Sequence, residues 1–77
     1  MAEAINYLLT RTTPDGVAMA MGGVLAVNDE AALIEASKDV RSRSERQELS
    51  RGDVILVEDP DGRQVEEATV EEFLKRR

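Results

Sequence analysis

The sequence contains no histidine, cysteine or tryptophan, and its aromatic residues are limited to Tyr7 and Phe73. Without histidine and cysteine the chain has no imidazole base, no thiolate nucleophile, no disulfide bond and no zinc finger. With so few aromatic side chains it also has no series of rings on which nucleic-acid bases could stack. These absences make an enzyme the least favoured class of protein.

Basic residues are also few relative to acidic ones. The 77 residues include 10 Lys and Arg but 16 Asp and Glu, which gives a formal net charge of −6. Nucleic-acid binding depends on a basic surface that displaces counterions from phosphates. Nucleic acid is therefore not an expected partner. The densest basic stretch, Lys38 to Arg51, is interleaved with acidic residues, which is typical of a solvated segment of mixed charge.

Long apolar runs are absent as well. The longest run of apolar residues and glycine, Gly16 to Val27, has no charged residue and is too short to cross a bilayer as a helix. The N-terminal region does not combine basic residues, an apolar stretch and a small-residue cleavage site, so we expect no signal peptide. The sequence thus predicts an intracellular or virion protein without a membrane segment.

Two Pro-Asp-Gly sequences, at 13–16 and 59–62, place Pro at the second and Gly at the fourth position of a β-turn. The residues on either side of the second turn, 53–58 and 63–67, predict a β-hairpin. A hairpin is also favoured around the first turn, although residues 4–9 fit one face of a helix as well as a strand.

Two short helices are expected. The first begins at an N-cap supplied by Asn28 or Asp29 and runs to about Lys38. The second begins at Thr69, because Thr69 and Glu72 match the capping box.

The remaining segments complete the predicted order of elements. Gly22 and Gly23 predict a bulge or a sharp bend before a separate strand at 24–27. The polar stretch at about 41–50 is either a solvated extension of the first helix or a connecting arm. We therefore predict one small α+β domain over residues 1–77, with a mostly antiparallel sheet, one or two β-hairpins and two short helices.

Candidate chemical sites are few. Asp59 and Asp61 resemble the start of a calcium loop, but Ala68 occupies the position of the bidentate glutamate, and turn chemistry explains both aspartates. Ser37 and Lys38 are adjacent on the predicted helix and cannot face each other as a catalytic dyad. We expect no catalytic residue, metal or cofactor.

Two segments are apolar where a half-covered strand would alternate with polar residues. Val54 to Val57 is apolar at every position, and 16–27 contains only apolar residues and glycine. Either the helices and the first hairpin cover both faces of the sheet, or one face or edge meets another subunit or a larger partner. The residues expected to contact such a partner are apolar ones in the first segment and arginines at its rim: Val17, Met19, Met21, Val24, Leu25, Arg41, Arg43 and Arg46.

Residues 23–27, Gly-Val-Leu-Ala-Val, lead into 28–34, Asn-Asp-Glu-Ala-Ala-Leu-Ile, which reads as a strand entering a helix. This segment resembles one in small accessory proteins encoded among the head and neck genes of tailed bacteriophages. It departs from that pattern at Ser37-Lys38, where a glycine would end the helix. The resemblance implies a structural protein of the virion.

The expected function is that of a non-enzymatic structural or interaction protein, oligomeric or part of a complex. It would bind a protein, either another copy or a larger assembly, through strand edges and an apolar face. The alternative is a small acidic regulatory module of the antitoxin or inhibitor type that binds a basic protein. Added salt should weaken binding in the second case much more than in the first.

Overall fold

The computed structural model describes residues 3–75, which form a four-stranded antiparallel sheet and two helices. The strands lie in the order β2-β1-β3-β4, so β2 and β4 form the two edges. This arrangement confirms the predicted small α+β fold. The elements in chain order are β1 (Ile5–Thr12), β2 (Ala18–Ala26), α1 (Asp29–Glu45), β3 (Val54–Glu58), β4 (Gln64–Thr69) and α2 (Val70–Leu74).

Both Pro-Asp-Gly turns connect hairpin strands, and residues 5–12 form a strand rather than a helix. In the first turn the Gly16 amide donates to the Thr13 carbonyl at 2.9 Å. In the second the Gly62 amide donates to the Asp59 carbonyl at 3.0 Å. Each glycine has a positive φ, 91° and 86°, which a residue with a Cβ adopts only at a cost.

The prediction of a separate strand at 24–27 is wrong, because residues 18–26 form one continuous strand. The register of β2 against β1 shifts opposite Leu9 and Thr10, and this leaves Met21 without a partner. Gly22 takes a φ of 103° beside it. A bulge absorbs the extra residue, so pairing with β1 resumes at Gly22, opposite Leu9, and continues to Ala26.

Helix α1 begins at Asn28, whose side-chain Oδ1 accepts a hydrogen bond from the Ala31 amide at 2.8 Å. The helix continues to Glu45, beyond the predicted end near Lys38. The sequence has no glycine or proline between Asp29 and Glu45 that would stop it. The first part of the polar stretch at 41–50 is thus the solvated helical extension.

Helix α2 begins at Thr69, and the predicted capping box is present. The Glu72 amide donates to Thr69 Oγ1 at 3.2 Å, while the Thr69 amide donates to Glu72 Oε1 at 2.9 Å. A helix of five residues gains little from its own hydrogen bonds, so its apolar contacts hold it in place. Val70 and Phe73 provide them, and both are fully buried.

The core lies between the helices and one face of the sheet. Burying these side chains supplies the main driving force for folding of so short a chain. The core side chains come from all four strands and both helices: Tyr7, Leu9, Ala26, Ala32, Ala36, Val40, Ile55, Val57, Ala68, Val70 and Phe73.

A polar network fixes the start of α1 to the second hairpin. The hydroxyl of the buried Tyr7 donates to Asp29 Oδ1 at 2.9 Å, and Arg63 Nη2 donates to Asp29 Oδ2 at 2.7 Å. Arg63 Nε also donates to Asp59 Oδ2 at 2.9 Å. The guanidinium of Arg63 therefore joins two carboxylates that are 30 positions apart in the chain.

We expect acid to weaken this network. Hydrogen bonds from Arg63 lower the pKa of Asp29, through the guanidinium, and the pKa of Asp59, through the backbone amide above all. A carboxyl group with a lowered pKa in the folded state adds stability above its unfolded pKa, and this stability is lost as pH falls through the folded pKa. Arg63→Ala should therefore lower the free energy of unfolding at neutral pH and flatten its decline toward acid, as measured by urea unfolding.

Lys38→Ala is the control for this experiment. It removes an exposed lysine that pairs with Glu35 at 3.1 Å, away from the network. Its pH curve should run parallel to that of the unsubstituted protein. A parallel curve for Arg63→Ala as well would show that the network adds nothing to the pH dependence.

Candidate protein-binding surface

The two faces of the sheet differ sharply in burial. Tyr7 and Leu9 of β1 point toward the helices and are 2% and 1% exposed, whereas Leu8 between them is 46% exposed. In β3, Ile55 is buried while Leu56 is only partly buried. Since side chains alternate along a strand, the even-numbered residues of β1 and β3 share the second side of the sheet. Within residues 3–75, neither helix packs against that side.

We call this second side the open face. The register sets Leu8 beside Gly23, Thr10 beside Leu56, and Asn6 beside Leu25. Leu25 is 65% exposed. The apolar members of the open face come from three adjacent strands: Leu8, Ala18, Ala20, Leu25, Val54 and Leu56.

The outer edge of the sheet at β2 is also apolar. No charged residue or proline lies between Gly16 and Val27. Within the part of the chain that the structure describes, no strand pairs with the outer side of β2. The opposite edge is different, because β4 carries Glu66 and Glu67 and has an irregular register against β3. Charge and irregularity are common protections of an edge strand, and β2 has only its bulge.

The apolar residues expected to bind a partner do not lie on one surface. Leu25 belongs to the open face, but Met19 and Val24 pair with Arg11 and Tyr7 on the helix side. Val24 packs against the core, as does Met21 at the bulge, and Val17 is exposed after the first turn. The pleat of β2 divides what the sequence presents as one apolar stretch.

The three arginines of the predicted rim lie on the helix layer and have intramolecular acceptors. Arg43 donates through Nη2 to the Met21 carbonyl at 2.8 Å and through Nε to Asp39 at 2.9 Å. Arg46 pairs with Glu48 at 2.9 Å, and Arg41 Nη2 donates to the Leu74 carbonyl at 3.4 Å. Arg43 thus fastens the last turns of α1 to the bulge of β2.

Five apolar members of the open face were not among the predicted contact residues: Leu8, Ala18, Ala20, Val54 and Leu56. The apolar run at 54–57 signalled a strand with two apolar sides, but it did not say which side is covered. Tyr7, Leu8 and Leu9 are three apolar or aromatic residues in a row, and their side chains point alternately to the two sides of the sheet. Leu8 is exposed because the helices cover the side that Tyr7 and Leu9 share.

A pocket of about 210 Å³ lies between β2 and the loop after α1. Arg11 makes polar contacts at this pocket: its Nη1 donates to the Glu48 carbonyl at 2.9 Å, and its Nε lies 3.9 Å from Asp53 Oδ2. These contacts attach the loop to the sheet. Its lining mixes charged and apolar residues: Arg11, Met19, Ala20, Met21, Arg43, Glu48 and Leu49.

Residues 3–75 contain no cluster of three or more acidic side chains suited to a metal ion. The described helices are all too short or too polar to cross a membrane. Comparison of the chain with family models, curated proteins and solved structures found no match.

We predict that Arg43→Ala destabilises the protein by about 1 kcal/mol, because it leaves the Met21 carbonyl without its charged donor. Arg46→Ala is the matched control: the Arg46 side chain is 60% exposed and bonded only within its own loop, against 28% for Arg43. Its effect should stay within about 0.5 kcal/mol. Denaturant unfolding measures both, and equal effects would refute the structural role assigned to Arg43.

Proposed function

We propose that this chain is a non-enzymatic structural subunit that binds a larger protein assembly through the open face and edges of its sheet. One observation carries the proposal: the sheet has a helix layer on a single side, while on the other side Leu8 and Leu25 are exposed and Val54 and Leu56 are only partly buried. Contiguous exposed apolar patches on small proteins commonly mark interaction sites.

Burial of apolar surface supplies the driving force for such a complex, at about 25 cal/mol per Å² removed from water. A partner that covers Leu8, Leu25 and Leu56 would gain this term without any change in the fold, since the three side chains already share one face. A second layer would also enlarge the small core of the domain.

The strand-to-helix segment supports a virion subunit in particular. Residues 23–34, which resemble accessory proteins of tailed-phage heads and necks, form the end of β2 and the start of α1. They contribute Leu25 to the open face. A subunit of a particle needs a permanent contact surface, and an apolar sheet face suits this role better than a charged cleft.

An acidic regulatory module receives less support from the contacts. Asp29 and Asp59 pair with Arg63, while Glu48 pairs with Arg46 and Glu71 with Arg51. These ion pairs within the chain neutralise part of the acidic surface that would attract a basic protein. On the open face Leu8 lies opposite Glu58 and Leu56 opposite Glu67, but burial of the leucine side chains themselves is not screened by salt.

We expect Leu8→Lys and Leu25→Glu each to weaken binding of the native partner at least roughly tenfold, equivalent to about 1.4 kcal/mol. Both side chains are exposed, and a lysine at position 8 would lie opposite Glu58 of β3, so the fold should tolerate either charge. The measurement is affinity capture from the native source, with each retained protein identified by mass spectrometry and its affinity then determined for the purified pair.

Ile34→Glu is the matched control, because Ile34 is 50% exposed but lies on α1, away from the open face. Its partner binding should equal that of the unsubstituted chain, and raising the salt concentration should change that binding little. A partner that is retained by both leucine variants and released by salt would reject this proposal and favour the acidic module.

A further inference from the structure

We propose that the β2 edge binds the β2 edge of a second copy of this chain. The two strands would run antiparallel about a two-fold axis perpendicular to the sheet. The result is one continuous sheet, with twice the four strands of a single chain. This inference rests on the proposed function, because it assigns the edge to a second copy and leaves the open face to the larger partner.

The first argument is that β2 offers a long edge for pairing. An outer edge presents unpaired backbone amides and carbonyls, which another strand can satisfy. The nine residues of β2 span about 30 Å, given the rise per residue in a strand. Its one interruption is the bulge at Met21 and Gly22, so residues 23–26, from the bulge to the end of the strand, are the straight part that a partner strand can follow.

The second argument is charge, and it selects a second copy as the partner. Two molecules that each carry a net charge of −6 repel one another. This repulsion is weakest when they meet through surfaces that have no charged group. The β2 edge meets this condition from Gly16 to Val27, whereas joining two β4 edges would bring Glu66 and Glu67 of each copy together. An edge without charges cannot recognise a basic or acidic strand, but it matches another uncharged strand, and β2 is itself such a strand.

The third argument is the exposure of the side chains on this straight part. Leu25 on this part is large, apolar and exposed, and so is Val27, which follows the end of β2 at Ala26. With the axis at Leu25, this residue meets its own counterpart on the open face, because directly opposite residues in a sheet share a face. The two helix layers stay on one side, and the two open faces join into a surface of twice the width.

Single-cysteine variants test this register directly, since the chain has no native cysteine. Leu25→Cys should form a disulfide with its counterpart on mild oxidation. Met19→Cys should not form this disulfide. With the axis at Leu25, Met19 and its counterpart each lie six positions from the axis, on opposite sides of it, so they are about 40 Å apart. Ile34→Cys on α1 is an exposed control and should also stay unlinked.

Light scattering after size exclusion gives a second readout on the unmodified chain. We expect twice the mass of the 8.5-kDa chain, and a dimer dissociation constant raised at least roughly tenfold by Leu25→Lys. A monomer at every concentration would overturn the dimer, as would cross-linking of Met19→Cys as efficient as that of Leu25→Cys. If the dimer is overturned but partner binding still depends on Leu8, the proposed function stands. Failure of the dimer and failure of the proposed function can therefore be told apart.

Discussion

The structure depends on a single layer of helices packed against one face of a four-stranded sheet. Within residues 3–75 only two helices are available to cover the sheet, and one of them is five residues long. They bury the face that contains Tyr7, Leu9 and Ile55, and this packing sets which residues of every strand point inward. The exposed leucines of the open face follow from that choice, because a strand that turns one side chain inward turns the next outward.

Polar contacts set the position of the helix layer over the sheet. The Asn28 side chain caps α1 at its start, Asp29 links that start to Tyr7 and Arg63, and Arg43 connects the far end to the bulge of β2. Arg43, which the sequence placed at the rim of an interface, thus makes contacts within the chain. Part of the surface charge is engaged in such intramolecular contacts.

The sequence predicts the parts of the fold that depend on local chemistry. Both Pro-Asp-Gly turns, the Asn28 cap and the Thr69 capping box depend on residues a few positions apart, and all are present. Two features depend on distant contacts and were not predictable. Residues 24–26 stay in β2 because β1 resumes pairing after the bulge, and the covered side of β3 is decided by where α1 and α2 pack. The apolar run at 54–57 indicated that β3 has apolar side chains on both sides of the sheet. Only the packing of the helices shows which of these two sides is exposed.

The central claim is that one face of the sheet, which carries apolar side chains, is exposed in the isolated protein. The most direct measurement is the relaxation of methyl NMR signals by a soluble paramagnetic chelate. The methyl groups of Leu8 should relax as strongly as those of exposed Ile34, while those of Leu9 and Val57 stay protected. Protection of Leu8 equal to that of Leu9 in the isolated protein would contradict the account, because it would mean that the second face is covered.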